Sequence, residues 1–545
     1  MPTAGEDVFK DFKEHSVAEF FKKNRQMLGY TGAIKSLTTA VHEFVTNALD
    51  ACEAAKIAPD IFIQLERVGP DALKLVVEDN GPGIPKKFLG GVFGQMLAGT
   101  KFNVFKQSRG QQGIGATGVV MFSQVTTGKP TKIVTSTGDN KIYDAEVSID
   151  FKNNKAILSN EKEYSGTMRG TRIETVLKGV KYQKGDKSPD EYLRRTALAN
   201  PHTKITYIDP DNITHVWDRS VDAMPKMPEK TLPHPKGVEV DDMMSFASHS
   251  ASRTISSFLK TDFVRISSQK VKEIEAKINF DINKRPQDMK WEEAEQLVKA
   301  FKEIAFIAPP TDCLIPINEQ HLEKALVNII KPEFYTLLTR SPAIYRGGVP
   351  FIVEVGLAFG GKAGRSVTED VEVKKNEEGE EMVQSEMEIM RFANRVPLLF
   401  DAGSCAITKA ILDIDWKRYS IKEGPVTVLV NFTSVHVPYT GTGKESIAEE
   451  DEVIKEIKLA LQDTGRRLGS YVAGRKRKYE REMKRRLLDV YSLPVSEAIG
   501  GIIGKKHELV LSKIRELIES KYEGVEEEGG EEESELAEDD EGSEE

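Results

Sequence analysis

Cysteine is scarce in this chain of 545 residues, and the three that occur lie far apart. Cys52, Cys313 and Cys405 are odd in number and do not cluster with histidine. This distribution argues against a disulfide framework and a zinc site, and it favours a reducing, cytoplasmic environment. Long apolar runs are also missing, since none approaches the roughly 20 residues that a bilayer crossing needs. The residues after Met1 do not resemble a signal peptide.

Basic charge is in deficit over the whole chain, with 76 Lys and Arg against 86 Asp and Glu and a net charge of -10. The deficit comes from residues 523–545, which hold 14 acidic and no basic side chains. The 522 residues before them contain 76 basic and 72 acidic side chains (86 less 14), a net charge of +4. We expect a disordered, self-repelling tail. It either solubilises the protein, discourages nonspecific contacts or binds a basic partner.

Two polar residues on one predicted helix, residues 37–55, form the first functional motif. Glu43 and Asn47 are four residues apart and therefore share a helix face. A neutral amide oxygen suits a hard cation such as Mg2+. A carboxylate one turn away can orient and deprotonate a water molecule. The pair favours metal-assisted attack on a phosphate, although this spacing is also common on solvated helix faces.

The second motif, Asp79-Asn80-Gly81-Pro82-Gly83-Ile84-Pro85, follows a predicted strand at residues 73–77. Its glycines and proline predict a tight turn whose backbone can approach a flat ring closely. A carboxylate at the end of a strand can accept a hydrogen bond from an exocyclic amine, which would select adenine over guanine. Taken alone, the motif is equally typical of a surface turn.

The third motif is glycine-rich and runs Gly110-Gln111-Gln112-Gly113-Ile114-Gly115-Ala116-Thr117, before apolar residues that can continue a helix. Backbone N–H groups at a helix N-terminus bind anions. The motif therefore predicts either a lid over a triphosphate or a flexible surface loop. Thr100 and Lys101, just upstream, can add a hydroxyl group and a positive charge near the phosphates.

Two other nucleotide motifs are matched only in part. Residues 113–118 have the GxGxxG spacing of a dinucleotide fold, but that fingerprint must follow a strand. The preceding residues, 105–112, form a polar loop instead. Residues 356–362 match the start of a P-loop, but Ala363 stands where the Mg2+-binding hydroxyl belongs. We therefore reject both folds.

In this order, the three motifs resemble the N, G1 and G2 boxes of the GHKL superfamily, which includes the gyrase B subunit, MutL, heat-shock-90 chaperones and histidine kinases. The resemblance implies the Bergerat fold, a mixed sheet covered on one face by helices, with ATP and Mg2+ as cofactors. It implies these roles: Glu43 as general base, Asn47 as Mg2+ ligand, Asp79 as adenine contact, Gly83 in the nucleotide-binding turn, and Gly110 to Thr117 as phosphate lid. Gly170-Thr171 matches the superfamily's late Gly-Thr element near adenine.

Over its full length the chain resembles one family, the B subunits of DNA topoisomerase VI. Residues 18–30 look like the family's strap, which swaps onto the partner protomer, and residues 391–398 and 437–446 look like its transducer domain. The family's transducer lysine, which reaches the γ-phosphate, corresponds to Lys444. A long-stemmed ammonium is apt for that task as a movable point charge. One departure is Thr46-Asn47-Ala48-Leu49-Asp50-Ala51, where the family often has Glu-Asn-Ser-Leu-Asp-Ala.

We expect an α+β multidomain protein with five segments. They are a GHKL ATPase domain with strap (1–225), a helix-two-turn-helix domain (226–308), an α/β, ribosomal S5-like transducer domain (309–472), C-terminal helices that dock a partner (473–522) and the acidic tail (523–545). The C-terminal helices should be interrupted around Pro494 and Gly500-Gly501. The most basic segment, 475–486, either contacts DNA phosphates or is a solvated helix face.

The resemblance implies the ATP-hydrolysing subunit of a type IIB DNA topoisomerase. Two copies would dimerise on ATP, capture a DNA duplex and drive it through a break made by the A subunit in an A2B2 heterotetramer. The chain itself lacks the remaining elements of a cleavage site around its weak acidic pairs at 209–211 and 413–415. A MutL-like or chaperone-like ATP clamp is the alternative. A sensor kinase would need a phospho-accepting histidine in a dimerising helix pair and a sensor domain.

Overall fold

The computed structural model describes residues 16–98, 105–110, 113–366, 374–375, 381–382, 385–419, 421 and 425–523, with the backbone alone within 365–386. The predictions for Thr100, Lys101, Gln111, Gln112 and the acidic tail lie outside the described residues. The chain divides into two compact units, one of residues 1–415 with 423–465, the other of 416–422 with 466–545. The five predicted boundaries stay predictions.

The described α-helices are numbered in chain order. They are α1 Val17–Lys23, α2 Ala33–Ala54, α3 Lys86–Gly94, α4 Gly115–Thr127, α5 Pro189–Ala199, α6 Val240–His249, α7 Ile255–Thr261, α8 Ser268–Glu275, α9 Trp291–Glu303, α10 Glu319–Ile329, α11 Ala406–Leu412, α12 Asp451–Ile503 and α13 His507–Glu523. Short 3-10 helices occupy Arg25–Leu28, Pro235–Gly237, Pro286–Asp288, Ala402–Ser404 and Trp416–Tyr419.

The strands of the first sheet come from the N-terminal part of the first unit. They are β1 Asp60–Gly69, β2 Ala72–Asp79, β3 Thr131–Ser136, β4 Lys141–Asp150, β5 Lys155–Ser165, β6 Gly170–Lys178, β7 Lys204–Ile208 and β8 Thr214–Trp217. Their order is β5-β4-β3-β6-β2-β1-β7-β8. β1 pairs with β7 in parallel, and the other neighbouring pairs are antiparallel. This is the mixed sheet that the motifs predicted.

One face of the first sheet is apolar and the other is charged. Ile61, Ile63 and Leu65 alternate along β1 and are buried, because successive side chains point to opposite faces. The helices α2 and α4 pack against this side of the sheet. On the opposite face Lys74 and Glu174 form an ion pair at 2.8 Å. The helices therefore cover one face, which is the predicted Bergerat arrangement.

A helical module follows the Pro- and Lys-rich stretch 225–236. Its helices α6 to α9 surround a separate apolar cluster. Phe258, Phe263 and Phe301 form its centre, with ring centroids 5.2 and 5.6 Å apart in edge-to-face contacts. Such contacts add specific geometry to the burial of the rings.

The second sheet is built from the residues after this module. Its strands are β9 Phe334–Thr339, β10 Ala343–Tyr345, β11 Val349–Phe359, β16 Glu388–Ala393, β17 Val396–Pro397 and β18 Val426–Ser434. The order is β10-β11-β18-β16-β17, with β9 also on β11, and β16 runs parallel to β18. Four two-residue strands form two separate antiparallel pairs, β12 Arg365–Ser366 with β15 Ser385–Glu386 and β13 Lys374–Lys375 with β14 Glu381–Met382.

The suspected P-loop is part of this sheet. Gly356 to Phe359 end β11, and the residues that follow turn without opening a helix. A P-loop needs a helix N-terminus at that place, so its rejection agrees with the structure. The three cysteines are free and buried. None of the described helices combines the length and the apolar character of a membrane crossing.

The predicted interruption at Pro494 is wrong, because α12 continues through this residue and ends at Ile503. Proline removes one backbone hydrogen bond and strains one turn, which a helix of 53 residues tolerates. The break comes at Gly504, which has φ +64°. The Lys505 N–H then donates to the Gly500 carbonyl at 3.2 Å, which is the C-terminal hydrogen bond of a Schellman motif.

Candidate active site

Glu43 and Asn47 lie one turn apart on α2 and line the same cavity. The helix presents them there because Val41, Val45 and Leu49, on its other side, are buried in the core. Asn47 Nδ2 donates to the Glu43 carbonyl at 2.8 Å. Its amide oxygen is therefore the atom that can meet a hard cation, and oxygen is the ligand that Mg2+ prefers.

The carboxylate of Glu43 lies against the first turn of α4. A Cβ atom at Gly115, where this helix begins, would come 1.9 Å from Glu43 Oε2. The N–H groups of a first helical turn lack intrahelical partners and favour negative charge. Burial lowers the pKa of the adjacent His42, whose Nε2 is 4.0 Å from Glu43 Oε1. The imidazole at this position is thus neutral at neutral pH and adds no positive charge beside the carboxylate.

Asp79 ends β2 and lies opposite Thr171 of β6. Burial raises the pKa of Asp79 to about 6, although backbone N–H groups of Gly81 and Thr171 stabilise its anion. The Gly81 N–H donates to Oδ1 at 2.8 Å. At Gly83, φ is +70° and a Cβ atom would lie 2.0 Å from the Ser136 carbonyl oxygen. Only glycine allows the turn to pass this close to β3.

Lys444 reaches the site from a loop near the start of α12. Its Nζ donates to the carbonyl oxygen of Arg109 at 3.1 Å, directly before the glycine-rich motif. The following residue, Glu445, forms an ion pair with Lys35, which is also 3.8 Å from Asp401. Thr442 donates a hydrogen bond to the Met27 carbonyl. These contacts hold the Lys444 loop against residues near the beginning of the described chain.

These groups surround one cavity of about 400 Å3. The predicted site residues that line it are Glu43, Asn47, Asp79, Gly83, Gly110, Gly113, Ile114, Gly115, Ala116, Thr117, Thr171 and Lys444. Thr100, Lys101, Gln111 and Gln112 belong to the part of the chain that the structure does not describe. The arrangement combines a carboxylate, an amide oxygen, a helix N-terminus and an ammonium group, which together suit a nucleotide triphosphate.

Sequence reasoning missed the apolar wall of this cavity. Val77, Ile84 and Ile173 line it beside Asp79, as do Val92 and Phe93 of α3. An apolar wall beside one carboxylate suits a purine ring. The alternation of β2 and β6 would have identified Val77 and Ile173 as inward-facing residues. No comparable signal marks α3, because its role depends on where the helix packs.

Two further residues of the cavity come from segments that the sequence had already singled out. Tyr30 ends the strap-like segment and stacks on Phe122 of α4, with ring centroids 4.6 Å apart. Thr442 belongs to the stretch that contains Lys444. Burial, followed by the charge of Glu43, raises the pKa of Tyr30 well above its usual range. Its hydroxyl is therefore protonated beside the candidate base.

Two family models match the chain. Residues 32–178 match the model described as "Histidine kinase-, DNA gyrase B-, and HSP90-like ATPase". Residues 309–485 match the model described as "Topoisomerase VI B subunit, transducer". The first match contains the three motifs, and the second contains Lys444. The predicted GHKL ATPase fold and the transducer are thereby confirmed.

Curated relatives match nearly the whole length. The B subunit of type 2 DNA topoisomerase 6 from Thermococcus sibiricus is 43% identical, and the alignment covers 95% of this chain and 97% of the relative. The protein of the same name from Pyrococcus horikoshii is 44% identical with the same coverage. That from Methanothermobacter thermautotrophicus is 44% identical over 92% of this chain and 94% of the relative. At this identity and coverage, the chain belongs to the family formed by the B subunits of type 2 DNA topoisomerase 6.

Proposed function

We propose that this chain binds and hydrolyses ATP, and that it uses ATP to drive one DNA duplex through another as the B subunit of a type IIB topoisomerase. The proposal rests on one observation: segments far apart in the sequence line the same cavity. Glu43, Asn47 and Asp79 come from the ATPase domain, and Lys444 comes from the segment that matches the transducer. In a site shared in this way, ATP occupancy and the position of the segment that matches the transducer depend on each other.

In the proposed ATP site, each residue has one task. Glu43 takes a proton from the attacking water, Asn47 offers its amide oxygen to Mg2+, and Asp79 accepts a hydrogen bond from the adenine amine. Mg2+ would neutralise charge on the phosphates when bound. The backbone from Gly110 to Thr117 would cover the phosphates, with the first turn of α4 as an anion site. Thr100, Lys101, Gln111 and Gln112 complete the proposed contacts.

Lys444 would report whether the terminal phosphate is present. Its Nζ now binds the Arg109 carbonyl, a neutral acceptor that a γ-phosphate would outcompete because charge-assisted hydrogen bonds are stronger. The move would carry the Lys444 loop towards the nucleotide. ATP can drive this change only if it binds the closed state more tightly than the open one. Hydrolysis would then restore the starting position.

The proposed partners are a second copy of this chain, double-stranded DNA and an A subunit in an A2B2 heterotetramer. In the single chain, Leu28 and Tyr30 of the strap-like segment are buried against the ATPase domain, and we propose that this segment swaps on dimerisation. Within the second unit, α12 exposes large apolar side chains between residues 487 and 503, including Ile502, which is 84% exposed. Apolar surface of this kind marks a protein interface and suits docking of the A subunit.

The basic segment 475–486 lies on the same helix, and its Lys and Arg side chains are largely exposed. Exposure on several sides of a helix suits either DNA phosphates or solvent, so both interpretations stay open. Family membership decides against the two alternatives weighed above, the repair or chaperone clamp and the sensor kinase.

Light scattering with a non-hydrolysable ATP analogue and Mg2+ tests the clamp directly. We expect the purified chain to dimerise with the analogue and the Asn47→Ala variant to stay monomeric. Reconstitution with an A subunit should then give ATP-dependent relaxation of supercoiled DNA. Full decatenation by Lys444→Ala would contradict the coupling role of the lysine. A mass that does not respond to nucleotide would contradict the proposed dimerisation.

A further inference from the structure

A buried charge cluster lies beside the ATP cavity, and we call its three members, Glu53, Arg109 and Arg395, the Glu53 cluster. Arg109 donates two hydrogen bonds to Glu53, from Nη1 to Oε2 at 2.9 Å and from Nη2 to Oε1 at 2.7 Å. Arg395 Nη1 lies 4.0 Å from the same carboxylate. The three side chains are 13, 5 and 7% exposed. Two cations thus lie beside the buried Glu53 carboxylate, and ion pairs of this kind are favourable only if their geometry is held.

Neighbouring side chains complete the geometry. His202 Nε2 lies 2.8 Å from Glu53 Oε1. Arg109 also donates to Asp50 Oδ1 at 2.9 Å and to Asn200 Oδ1 at 2.6 Å. Burial would raise the pKa of Glu53, but Arg109 and the hydrogen bond with His202 hold it well below its usual range. Glu53 is therefore an anion at every pH at which the protein would work.

Each member of the cluster lies on a different structural element of the proposed ATP-driven mechanism. Glu53 lies on α2, the helix that carries Glu43 and Asn47. Arg109 directly precedes the glycine-rich lid, and its own carbonyl oxygen accepts the hydrogen bond from Lys444. Arg395 lies in the turn between β16 and β17 of the second sheet. The cluster therefore joins the catalytic helix, the base of the lid and the second sheet at one carboxylate.

A second set of contacts joins the base of the lid to the same sheet and to the loop before α10. Asn394 Nδ2 donates to the Ser108 carbonyl at 3.1 Å and to the Ser434 carbonyl at 2.9 Å. Gln107 Nε2 donates to the Ile315 carbonyl at 3.1 Å, and its Oε1 accepts from the Ile315 N–H at 2.5 Å. Residues 107–109 are thus held by side chains and backbone outside the ATPase domain.

The turn that supplies Arg395 is the two-residue connection between the paired residues Ala393 and Val396. Asn394 and Arg395 have φ of +50° and +66°, the two positive angles that a type I′ hairpin turn requires. The Nε atoms of Arg109 and Arg395 have no hydrogen-bond partner among the described residues. Buried polar atoms without a partner are uncommon and persist where surrounding contacts hold the side chain in place.

We propose that Arg395 is a positioning residue, which sets the base of the ATP lid against α2 through Glu53 and Arg109 and so couples lid position to the orientation of the second sheet. The proposal rests on the proposed function and adds a second connection to that made by Lys444. Arg395 does not line the ATP cavity, so its loss should leave nucleotide binding nearly intact. Its loss should instead lower the number of DNA strand passages per ATP hydrolysed.

The test compares Arg395→Met, Arg395→Lys and the charge-balanced Arg395→Met/Glu53→Gln in the complex with an A subunit. Three quantities are measured: the affinity for a non-hydrolysable ATP analogue, kcat for ATP hydrolysis, and DNA strand passages per ATP hydrolysed. For Arg395→Met we expect affinity within about threefold of the parent and strand passages per ATP at least tenfold lower. Arg395→Lys should recover part of the loss. The charge-balanced variant removes one positive and one negative charge together, so the net charge of the buried cluster stays the same. It therefore serves as a second test in case Arg395→Met alone does not fold.

Arg194→Met is the matched control. Arg194, on α5, also reaches the second sheet, where its Nη2 donates to Glu388 Oε1 at 2.5 Å. Among the described residues, its other hydrogen bonds go to Glu191 and none goes to the proposed lid. The Arg194→Met variant should give the same number of strand passages per ATP hydrolysed as the parent. An unchanged ratio in both Arg395→Met and the charge-balanced variant would overturn the proposal, even if their melting temperatures fell. Absence of ATP-dependent strand passage in the parent complex would instead contradict the proposed function.

Discussion

Gly115→Ala should slow ATP hydrolysis without weakening the fold. A Cβ atom at this position would lie 1.9 Å from Glu43 Oε2, whereas ordinary van der Waals contact begins at 3.4 Å. Either the carboxylate or the first turn of α4 must move by about 1.5 Å, the difference between these distances. The carboxylate is the end of a flexible side chain, so it will move first. The substitution therefore displaces the candidate base and leaves its charge in place.

The size of the effect follows from the role of the base. A misplacement of about 1 Å can reduce a catalysed rate about 100-fold, which corresponds to about 2.7 kcal/mol of activation free energy. We expect kcat to fall by about this factor and KM for ATP to change little, because alanine keeps the backbone N–H. Stability should rise slightly, by a few tenths of a kcal/mol, since alanine restricts the unfolded chain. Steady-state ATPase assays and thermal melts measure both quantities.

Gly91→Ala is the matched control, because Gly91 is also helical and a Cβ atom there would meet nothing within 4 Å. It should leave kcat unchanged. The double variant Gly115→Ala/Glu43→Gln should be no slower than Glu43→Gln alone, since both changes remove the same group from its place. A kcat for Gly115→Ala within threefold of the parent would refute the reasoning, as would full additivity in the double variant.

Two pH effects follow from the buried carboxyl groups. Burial raises the pKa of Asp79 to about 6. We therefore expect the affinity for ATP, measured by calorimetry, to weaken as pH falls from 7.5 to 5.5, because Asp79 becomes protonated. If the affinity of Asp79→Asn changed with pH in parallel with that of the parent, this expectation would be contradicted. Burial and a hydrogen bond with Asp401 raise the pKa of Glu445 to about 7, although the ion pair with Lys35 stabilises its anion. A carboxyl group whose pKa is raised on folding stabilises the fold fully below its unfolded pKa and loses that contribution as pH rises through its folded pKa. The melting temperature of the parent should therefore fall relative to that of Glu445→Gln between about pH 5 and pH 7.5. Superimposable pH dependence of the two melting temperatures would contradict that assignment.

The local parts of the site could be predicted because each depends on a few neighbouring residues. Helical spacing placed Glu43 and Asn47 on one face of α2, and the apolar run before Asp79 predicted the strand that it ends. The glycines of the second motif predicted a tight turn, and Gly83 has φ +70° there. The close approaches of Gly83 to Ser136 and of Gly115 to Glu43 come from the structure alone. The proposed roles of these residues stay predictions, whereas the fold and the family are established.

The remaining features depend on contacts between distant segments, which periodicity does not encode. Nothing near Glu53 in the sequence indicates that Arg395 shares its carboxylate. The apolar wall from α3 depends on how that helix packs. The continuity of α12 through Pro494 depends on a balance between one lost hydrogen bond and the many that remain. The position of Lys444 in the site was predicted from the resemblance to the family. The residues around Lys444 in the sequence do not indicate it.

The base of the proposed lid is held at two neighbouring backbone atoms by the segment that matches the transducer. Lys444 donates to the Arg109 carbonyl and Asn394 donates to the Ser108 carbonyl. Both acceptors are main-chain oxygens, so substitution of the Ser108 side chain leaves them in place. Substitution of Lys444 or Asn394, the two donors, would instead remove a contact. The Arg109 side chain adds the third attachment, to Glu53 on α2. A shift of the proposed lid relative to α2 would therefore disturb these contacts with the segment that matches the transducer, and the proposed coupling requires such a mutual constraint.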